Sequence, residues 1–343
     1  MLLLGWDRDG NFPSFERLKR GLIVRRFRMI CPSDRVYYRI VPTLLFSLWV
    51  LRTLLLNRPK ITHACDVDAA IPCFLYKLIT NNLFVFDVFD RFSFAISNRV
   101  ISIPLRYLEE FFRCKADLFI TNSVALLNSF VCKLANSEII MNCTDDKKPA
   151  HSESSLSSLF RIVYAGYITP TRGLGLLAEA VSNLSNVELM IVGKPSSYEY
   201  LKTITSYENV FYVGVVPFNK AIELQSTADL IVIPYDPKVL MNRIGMPNKL
   251  FDAMMLGIPV VATIGKDIIE ETSCGIFVRF DLDSMKSTIQ YLKDNPDIRY
   301  KLGMNGRKAF EAKYNWNRME EKLLMAYKRL LSSYKPDLLK VPQ

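Results

Sequence analysis

Apolar runs alternate with amphipathic segments in a regular order from residue 160 onward. The runs FRIVYAG, VELMIVG and NVFYVG begin at residues 160, 187 and 209, and DLIVIP, IPVVAT and CGIFVRF begin at 229, 258 and 274. Segments with helical spacing separate them, at residues 173–184, 220–228 and 247–257. Continuous apolar strands between helices are typical of a parallel sheet covered on both faces. The pattern predicts a doubly wound α/β domain.

The first half of the chain follows the same alternation less regularly. Strands are predicted in GLIVRRF, ITHACD, LFVFD, ADLFITNS and EIIMN, with helices around residues 67–79, 103–115 and 123–134. A polar, Ser-rich stretch without periodicity follows and predicts a linker. We expect two Rossmann-like domains with a cleft between them, and a closing helix that braces both. The boundaries are 1–144 for the N-terminal domain, 145–158 for the linker, 159–315 for the C-terminal domain and 316–343 for the helix.

Composition excludes several classes of protein. Half of the 343 residues are hydrophobic and 23% are charged, which indicates a globular chain rather than a disordered one. The seven cysteines are odd in number and form no CxxC pair, and only His63 and His151 accompany them. These counts argue against a structural zinc site and a disulfide framework. With no signal peptide visible, the sequence predicts a cytoplasmic protein.

The first 60 residues are both basic and apolar. They hold 12 Lys and Arg against 4 Asp and Glu, within a chain of net charge +10. Such charge suits anionic lipid or a lipid-linked diphosphate, and a solvated basic face is the alternative. No nucleic-acid-binding signature accompanies it, so no nucleic acid partner is expected. Residues 41–60 carry an apolar run with Arg52 inside, too short for the ~20 residues of a membrane span. They predict a half-buried helix, or alternatively a helix lying on the cytoplasmic face of a membrane.

Two strand ends in the second half carry candidate ligand chemistry. In a doubly wound sheet, ligands lie at the carboxyl ends of strands, where helix N-termini present free N–H groups. Arg172 and Gly173 follow the first of these strands, and a fixed cation beside a helix N-terminus suits a diphosphate. The alternative is an exposed loop arginine.

The second strand end leads into MPNKLFDAMMLG, where spacing separates two helix faces. A buried stripe is predicted at Leu250, Ala253, Met254 and Gly257, with Asn248, Lys249 and Asp252 on the other face. Pro247 suits the first helical turn, and the N–H groups nearby could bind an anion. Asp252 could accept hydrogen bonds from the vicinal hydroxyls of a ribose. An ion pair with Lys249 on a solvated face is the alternative.

Together these segments resemble the retaining glycosyltransferases of family 4, which have the GT-B fold. The resemblance is most specific in the order of the blocks VYAGYITPTRGL, VELMIVGKP, NVFYVGVVP, TADLIVIPY, PNKLFDAMMLGIPVVAT, ETSCGIFV and YNWNRMEEKLLMAY. In the first half, ITHACDVDAAIPCFLYKL and FVFDVFDRFS look like the family's N-terminal segments. The resemblance implies transfer of a sugar from a nucleotide-diphosphate sugar to a lipid-linked or glycan acceptor, with retained anomeric configuration, in polysaccharide assembly.

The resemblance also implies site residues. Arg172 and Lys249 would stabilise the leaving diphosphate and are the catalytic candidates. Donor binding is expected at Gly166, Thr171, Arg172, Gly173, Lys194, Gly245, Met246, Pro247, Asn248 and Asp252. The acceptor side is expected at Asp66, Asp87 and Asp90. No metal and no cofactor is expected, because the nucleotide sugar is a co-substrate and the leaving phosphate can assist the incoming hydroxyl.

The chain departs from the family pattern at several positions. The first acid of the Glu–Glu pair falls at Ile244, the second is the shorter Asp252, and histidines of the N-terminal segments are replaced by Cys65 and Phe89. The first strand of the family's N-terminal domain is also expected to be missing. These departures leave open a non-catalytic or degenerate GT-B partner subunit. A sugar-nucleotide epimerase of the same fold is a weaker alternative, since the chain has few titratable residues for that chemistry.

Overall fold

A computed structural model describes residues 1–31, 40–96, 98–131, 136–147 and 159–333. Most of the predicted linker and the last part of the predicted closing helix lie outside the described residues. The chain forms two compact units. Unit 1 takes in Met1–Thr121, Phe130–Glu138 and the chain from Ala326 on, and unit 2 takes in Asn122–Ser129 and Ile139–Met325.

The described elements follow the predicted alternation. The strands are β1 (Leu2–Asp7), β2 (Phe15–Arg17), β3 (Ile23–Arg28), β4 (Ile61–Cys65), β5 (Leu83–Val88), β6 (Leu118–Thr121), β7 (Ser137–Ile139), β8 (Phe160–Ala165), β9 (Val187–Val192), β10 (Val210–Gly214), β11 (Ile231–Ile233), β12 (Val260–Ala262) and β13 (Gly275–Phe277). The helices are α1 (Ile40–Asn57), α2 (Asp66–Thr80), α3 (Phe92–Ala95), α4 (Arg99–Lys115), α5 (Val124–Asn128), α6 (Leu174–Ser182), α7 (Tyr198–Ile204), α8 (Phe218–Ser226), α9 (Leu240–Ile244), α10 (Asn248–Leu256), α11 (Lys266–Thr272), α12 (Leu282–Asp294), α13 (Pro296–Ala312) and α14 (Trp316–Ser333). The α/β prediction is confirmed.

Unit 2 is built on parallel strands in the order β10-β9-β8-β11-β12-β13. The sheets β10-β9-β8 and β11-β12-β13 are joined by a parallel bridge between Ile162 of β8 and Leu230, just before β11. Numbered within the unit, this is the 3-2-1-4-5-6 order of the doubly wound nucleotide-binding fold. The order reverses between β8 and β11, so a ligand is expected at the carboxyl ends of these two strands.

Unit 1 contains a four-stranded sheet and a smaller three-stranded one. In the larger sheet, of order β4-β5-β6-β7, the strands β4, β5 and β6 run parallel. In the smaller sheet β3 is central, parallel to β1 and antiparallel to β2. Every residue of β5 and β6 is buried. Strands buried along their whole length need cover on both faces, which explains why β5 and β6 are mostly apolar, with Asp87 and Thr121 as the exceptions.

Helix α1 is half-buried, as the sequence predicts. Phe46 stacks against Trp49 and against Trp6 of β1, and the rings of Phe46 and Trp49 both make tilted contacts with Phe27 of β3. The outward face is also apolar, with exposed side chains at Val41, Leu44, Leu45, Leu48, Leu55 and Leu56. No helix in the described part of the chain has the length and apolar character needed to cross a membrane.

Two features differ from the sequence-based expectations. Helix α5 ends at Asn128, although the pattern predicts a helix over 123–134, of which residues 132–134 are outside the described part. It is started by the hydroxyl of Ser123, which accepts a hydrogen bond from the Leu126 N–H at 3.0 Å. Cys114 is disulfide-bonded, which the cysteine spacing does not indicate.

Glycines set the distance between α13 and α10 in unit 2. A Cβ atom on Gly303 would lie 2.1 Å from the carbonyl oxygen of Gly257, the residue that ends α10 with a φ of +73°. Only a hydrogen fits at that distance, so the two helices can approach at this point only because Gly303 has no side chain. The buried face of α10 depends on this approach.

We expect Gly303→Ala to lower the free energy of unfolding by about 1–3 kcal/mol or more, because the helices must separate to admit the methyl group. Gly175→Ala in α6 is the matched control, since its Cβ would meet only the Tyr200 hydroxyl at an ordinary 3.7 Å. The control should be neutral or stabilising by about 0.5–1 kcal/mol, as for other helical glycines. Urea unfolding measures both, and equal effects would contradict the packing argument.

Candidate functional site

The candidate site lies in unit 2 where the strand order reverses between β8 and β11, which is called the switch point of the sheet. Gly166 directly follows β8, and Tyr235 lies two residues beyond the end of β11. The loop after Gly166 leads to a 3₁₀ turn over Pro170–Arg172, from which α6 begins. The carboxyl ends of the two strands therefore bring together Gly166, Arg172 and Tyr235, together with the start of α10.

Glycines allow the backbone segments of the site to lie unusually close. A Cβ on Gly173 would meet the Pro234 carbonyl oxygen at 1.8 Å, and one on Gly193 would meet the Gly166 carbonyl oxygen at 1.9 Å. A Cβ on Gly166 would lie 2.3 Å from the Lys249 Nζ atom. All three glycines have positive φ, which side chains disfavour. The absence of side chains leaves the space in which Lys249 lies.

Two cations flank the buried ring of Tyr235. The Arg172 guanidinium lies 4.2 Å from the ring centroid, and the Lys249 Nζ donates a hydrogen bond to the Tyr235 hydroxyl at 3.0 Å. Lys249 also lies over the ring of Tyr164, at 4.8 Å. Within the described ranges, no carboxylate lies within ion-pair distance of Arg172 or Lys249. The site therefore carries two positive charges that form no ion pair with the described residues.

Asn242 holds Arg172 in place. Its side-chain oxygen accepts a hydrogen bond from Arg172 at 2.9 Å, while its amide donates to the carbonyls of Thr171 at 2.8 Å and Asp236 at 2.9 Å. The side chain is buried, and its amide donates twice while its oxygen accepts once. Asn242 thus links α9 to the loop after β8 and fixes the guanidinium orientation.

The charges of the site act on the tyrosines. Burial raises the pKa of Tyr235, but the charges of Lys249 and Arg172 and the Lys249 hydrogen bond outweigh it, so the pKa is lowered from its usual value of 10. Burial holds the pKa of Tyr164 well above its usual value, and the neighbouring Tyr235 adds to the effect. The lowered pKa of Tyr235 reports the positive potential that an anionic ligand would meet.

Asp252 is buried, contrary to the solvated alternative. The spacing predicts a stripe of four buried positions on α10, but every residue from Leu250 to Leu256 is buried. Helix α10 packs against α13, α8 and β11, and this cover on several sides explains the difference. Burial raises the pKa of Asp252 to about 6, partly offset by the charge of Lys249. No hydrogen-bond donor among the described residues reaches its carboxylate, so the oxygens are available to a ligand.

The start of α10 offers fewer free N–H groups than the sequence suggests. The Gly245 N–H donates to the Met241 carbonyl at 3.0 Å, and Pro247 has no N–H. In the part of the chain that the structure describes, the N–H groups of Met246, Asn248 and Lys249 have no acceptor. These three are the unpaired donors that a helix N-terminus presents to an anion.

The side chains of the remaining donor-site candidates, Thr171 and Lys194, are exposed. Thr171 contributes its backbone carbonyl, which accepts from Asn242 and from the Asp236 N–H, while its side chain is exposed. Lys194 is exposed. Its backbone carbonyl accepts a hydrogen bond from the Ile168 N–H at 3.0 Å. Ile244 is buried, and its carbonyl accepts from the Ser123 hydroxyl at 2.5 Å. The position of the missing acid is therefore part of the packed core.

The three acceptor-side candidates gather in unit 1 at the ends of β4 and β5. Asp66 has a φ of +62°, and Asp87 is buried. The pKa of Asp66 is raised to about 7, first by burial and then by the charges of Asp68, Asp87 and Asp90. Asp87 lies 3.0 Å from the Nε2 atom of His63. The three acids are neighbours in the structure, and their acceptor-side role stays a prediction; His63 was not among the predicted site residues.

Sequence reasoning also missed Tyr235 and Asn242. Both lie in the irregular stretch YDPKVLMNRIG, where no hydrophobic period marks one residue as buried. The available signal was position, because an aromatic residue directly after the strand that borders the switch point is well placed to contact a ligand.

Comparisons with known proteins match the part of the chain that contains this site. Residues 160–295 match the family Glycosyl transferases group 1. The matched range contains both strand ends of the switch point, both cations and Asp252. The capsular polysaccharide biosynthesis glycosyltransferase CapM of Staphylococcus aureus is 25% identical over 187 residues, which are 51% of this chain and 48% of CapM. The chain thus spans about half the length of the curated relative it matches.

Solved structures match over nearly the whole chain. Sucrose-phosphate synthase from Thermosynechococcus elongatus superimposes with a TM-score of 0.82 at 16% identity, over 97% of this chain and 89% of that one. HepE of Anabaena, solved in complex with UDP-glucose, superimposes with a TM-score of 0.74 at 16% identity, over 96% and 100%. The protein has the GT-B fold. In this GT-B chain the two uncompensated cations lie in the unit whose residues match the family.

Replacing the buried carboxylate of Asp252 should stabilise the ligand-free protein. Because the pKa of Asp252 in the folded chain is about 6 and that of an unfolded aspartate is about 4, native stability falls as the pH rises through this interval. The loss amounts to about 3 kcal/mol above pH ~6. Asp252→Asn removes the charge and should raise the free energy of unfolding by up to that amount at neutral pH, with little effect at about pH 4.

Urea unfolding across this pH range measures the difference between the two proteins. Asp267→Asn, which replaces an exposed aspartate on α11, is the control and should keep the wild-type pH profile. A constant difference between Asp252→Asn and the wild type at every pH would contradict a buried, titrating carboxylate.

Proposed function

We propose that this protein is a glycosyltransferase that moves a sugar from a nucleotide-diphosphate sugar to a lipid-linked or glycan acceptor with retained anomeric configuration. The proposal rests on one observation, the two uncompensated cations Arg172 and Lys249 at the switch point of a doubly wound sheet. A diphosphate supplies the negative charge that these groups lack, and the free N–H groups at the start of α10 add hydrogen bonds to it.

The same groups would assist the reaction. The bond between the anomeric carbon and the β-phosphate oxygen breaks, and the acceptor hydroxyl oxygen forms a new bond to that carbon on the same face. The hydroxyl proton passes to the leaving phosphate oxygen. Negative charge grows on the diphosphate as the bond breaks, so Arg172 and Lys249 stabilise the transition state more than the ground state. Two cations held in place supply this stabilisation without a metal ion in the donor site.

Asp252 would hold the ribose of the nucleotide. Its carboxylate is buried, accepts no hydrogen bond from the described residues, and lies one turn into the helix whose N-terminus faces the phosphates. Vicinal hydroxyls would donate the two hydrogen bonds that the carboxylate lacks, and so offset the cost of burying its charge. HepE was solved with UDP-glucose, which makes a uridine nucleotide the first donor to test.

The polysaccharide role and the acceptor class are drawn from CapM and from unit 1. The name of CapM refers to capsular polysaccharide biosynthesis, in which a lipid-linked glycan is a fitting acceptor. The exposed apolar stripe of α1 contains one cation, Arg52, and belongs to the basic first 60 residues. An apolar helix face with basic surroundings suits peripheral contact with anionic lipid, on the cytoplasmic side where nucleotide sugars are supplied.

A non-catalytic GT-B partner subunit is the second candidate. The observation in its favour is Ile244, whose buried side chain and hydrogen-bonded carbonyl leave no polar group to bind a sugar hydroxyl at the position of the family's first acid. Such a protein would bind the nucleotide without transferring the sugar. Incubation with radiolabelled UDP-glucose and bacterial membranes separates the two candidates, because only the enzyme transfers label into the lipid or glycan fraction.

Nucleoside diphosphates should raise the melting temperature through Arg172. At a concentration of about 100 times Kd, a bound nucleotide stabilises the folded state by about 2.7 kcal/mol, which corresponds to a rise of roughly 5–10 °C. Arg172→Ala removes charge-assisted hydrogen bonds and should weaken binding at least tenfold. A thermal-shift series with UDP, GDP, ADP and UDP-glucose measures both effects.

Arg318→Ala is the matched control for Arg172→Ala. Arg318 is a half-exposed arginine of unit 2 that pairs with Glu321 on α14, away from the switch point. This control should bind the nucleotide like the wild type. If none of the nucleotides shifts the melting temperature of the wild type, the donor-site proposal is wrong.

Binding to anionic vesicles should depend on the exposed face of α1. Leu48→Glu places a charge in the middle of this stripe and should reduce co-flotation with phosphatidylglycerol vesicles several-fold, because the apolar face loses its favourable transfer into the interface. Leu324→Glu replaces another exposed leucine, on α14, and should leave flotation unchanged. Equal flotation of the wild type with neutral and anionic vesicles, or equal loss in both variants, would argue against this contact.

A further inference from the structure

Three metal-binding side chains meet on one face of the larger sheet in unit 1. His63 and Cys65 are two residues apart on β4, so their side chains point to the same side. In the register between β4 and β5, Asp87 is the partner of Cys65. The His63 ring nitrogen, the Cys65 sulfur and an Asp87 carboxylate oxygen all lie within 4.8 Å of one another.

We propose that His63, Cys65 and Asp87 form a zinc site. The three residues offer one nitrogen, one sulfur and one oxygen, which are the atoms that bind zinc in proteins, and three protein ligands leave a fourth tetrahedral position open. A thiolate selects against magnesium and calcium, which prefer oxygen ligands alone. The proposal is independent of the donor-site proposal, because it concerns residues of unit 1 only.

Tyr327 of α14 completes the surroundings of His63. Its hydroxyl oxygen contacts the Nδ1 atom of His63, while the Nε2 atom points to Asp87 at 3.0 Å. If the Nδ1–H group donates to Tyr327, Nε2 carries a lone pair that faces a carboxylate, and two acceptors then face each other. A cation between them resolves this conflict. A second partner that orients the ring of a metal-bound histidine is a regular feature of metal sites.

The charges around the cluster favour a cation. Asp66 and Asp68 lie beside the cluster, and Arg8 is 3.5 Å from Asp68 at an exposed ion pair. One oxygen of Asp66 is buried and has no hydrogen-bond partner. The strand ends therefore gather negative charge in a chain whose net charge is +10. A bound divalent ion would neutralise part of this charge.

A metal-free arrangement of the same atoms makes the proposal testable. If the Tyr327 hydroxyl donates to Nδ1 and the Nε2–H group donates to Asp87, His63 is satisfied without an ion. In that arrangement Cys65 takes no part, and its replacement changes nothing at the histidine. Metal binding that requires Cys65 therefore distinguishes the two arrangements.

Cobalt and zinc titrations of the full chain, free of affinity tags, test the site. We expect one equivalent of Co²⁺ to bind and to give the near-ultraviolet charge-transfer band of a cobalt–thiolate bond, and Zn²⁺ to displace it. His63→Gln should weaken binding at least tenfold, as should Asp87→Asn. Cys65→Ser should abolish the band.

Two further variants control for folding and for the other thiols. Cys65→His keeps a zinc ligand in place, so it should bind one equivalent of metal without the thiolate band. Cys31→Ser removes a free thiol at another place in unit 1 and should behave like the wild type. Circular dichroism of each variant checks that the chain is folded. The proposal is overturned if the wild type binds no more Co²⁺ than Cys65→Ser, or if the band persists in Cys65→Ser.

Discussion

Unit 2 depends on one constraint, the close approach of backbone segments where the order of its strands reverses. Gly166, Gly173 and Gly193 each lie where a Cβ atom would overlap another group. This approach leaves room for Lys249 beside the end of β8 and lets Arg172 reach the face of Tyr235. Two cations are thus held near each other without carboxylate partners among the described residues. Their mutual repulsion is a cost to the free protein that an anionic ligand would relieve.

The strands of unit 2 could be predicted from the sequence because each is a continuous apolar run between turn residues. The strand order could be anticipated only through the resemblance, since nothing in a run of Val and Ile specifies its neighbours. The diphosphate-binding role of Arg172 was predicted from its position after a strand and that of Lys249 through the resemblance, and both roles stay predictions. The burial of Asp252 could not be predicted, because α10 is covered by α13 and α8, which are distant in sequence. Hydrophobic periodicity shows which face of a helix is apolar, but it does not show how many other elements pack around that helix.

Residues in irregular segments escaped prediction for a different reason. Asn242 makes three hydrogen bonds to groups about 70 and 6 residues away, and none of these contacts has a local signature. His63 was noted as one of two histidines and as part of a segment that resembles the family, and its closeness to Asp87 depends on the register between β4 and β5. The counts and spacing of cysteine and histidine argue against a structural zinc site, and that expectation stays a prediction. What they could not show is that the sheet places His63, Cys65 and Asp87 side by side from two strands. Sequence spacing is a weak guide wherever a site is assembled across strands.

The charges gathered at the strand ends are opposite in sign in the two units. Unit 2 gathers positive charge at the ends of β8 and β11, and unit 1 gathers carboxylates at the ends of β4 and β5. The simplest ligand for unit 2 is an anionic sugar donor, and the simplest for unit 1 is a divalent cation. Each would reduce the repulsion between like charges in the free chain. Ligand binding at either place would then stabilise the unit that carries it. Asp252 illustrates why a destabilising charge is retained. Its buried carboxylate lowers the stability of the empty site, but it is the group that would bind the ribose hydroxyls.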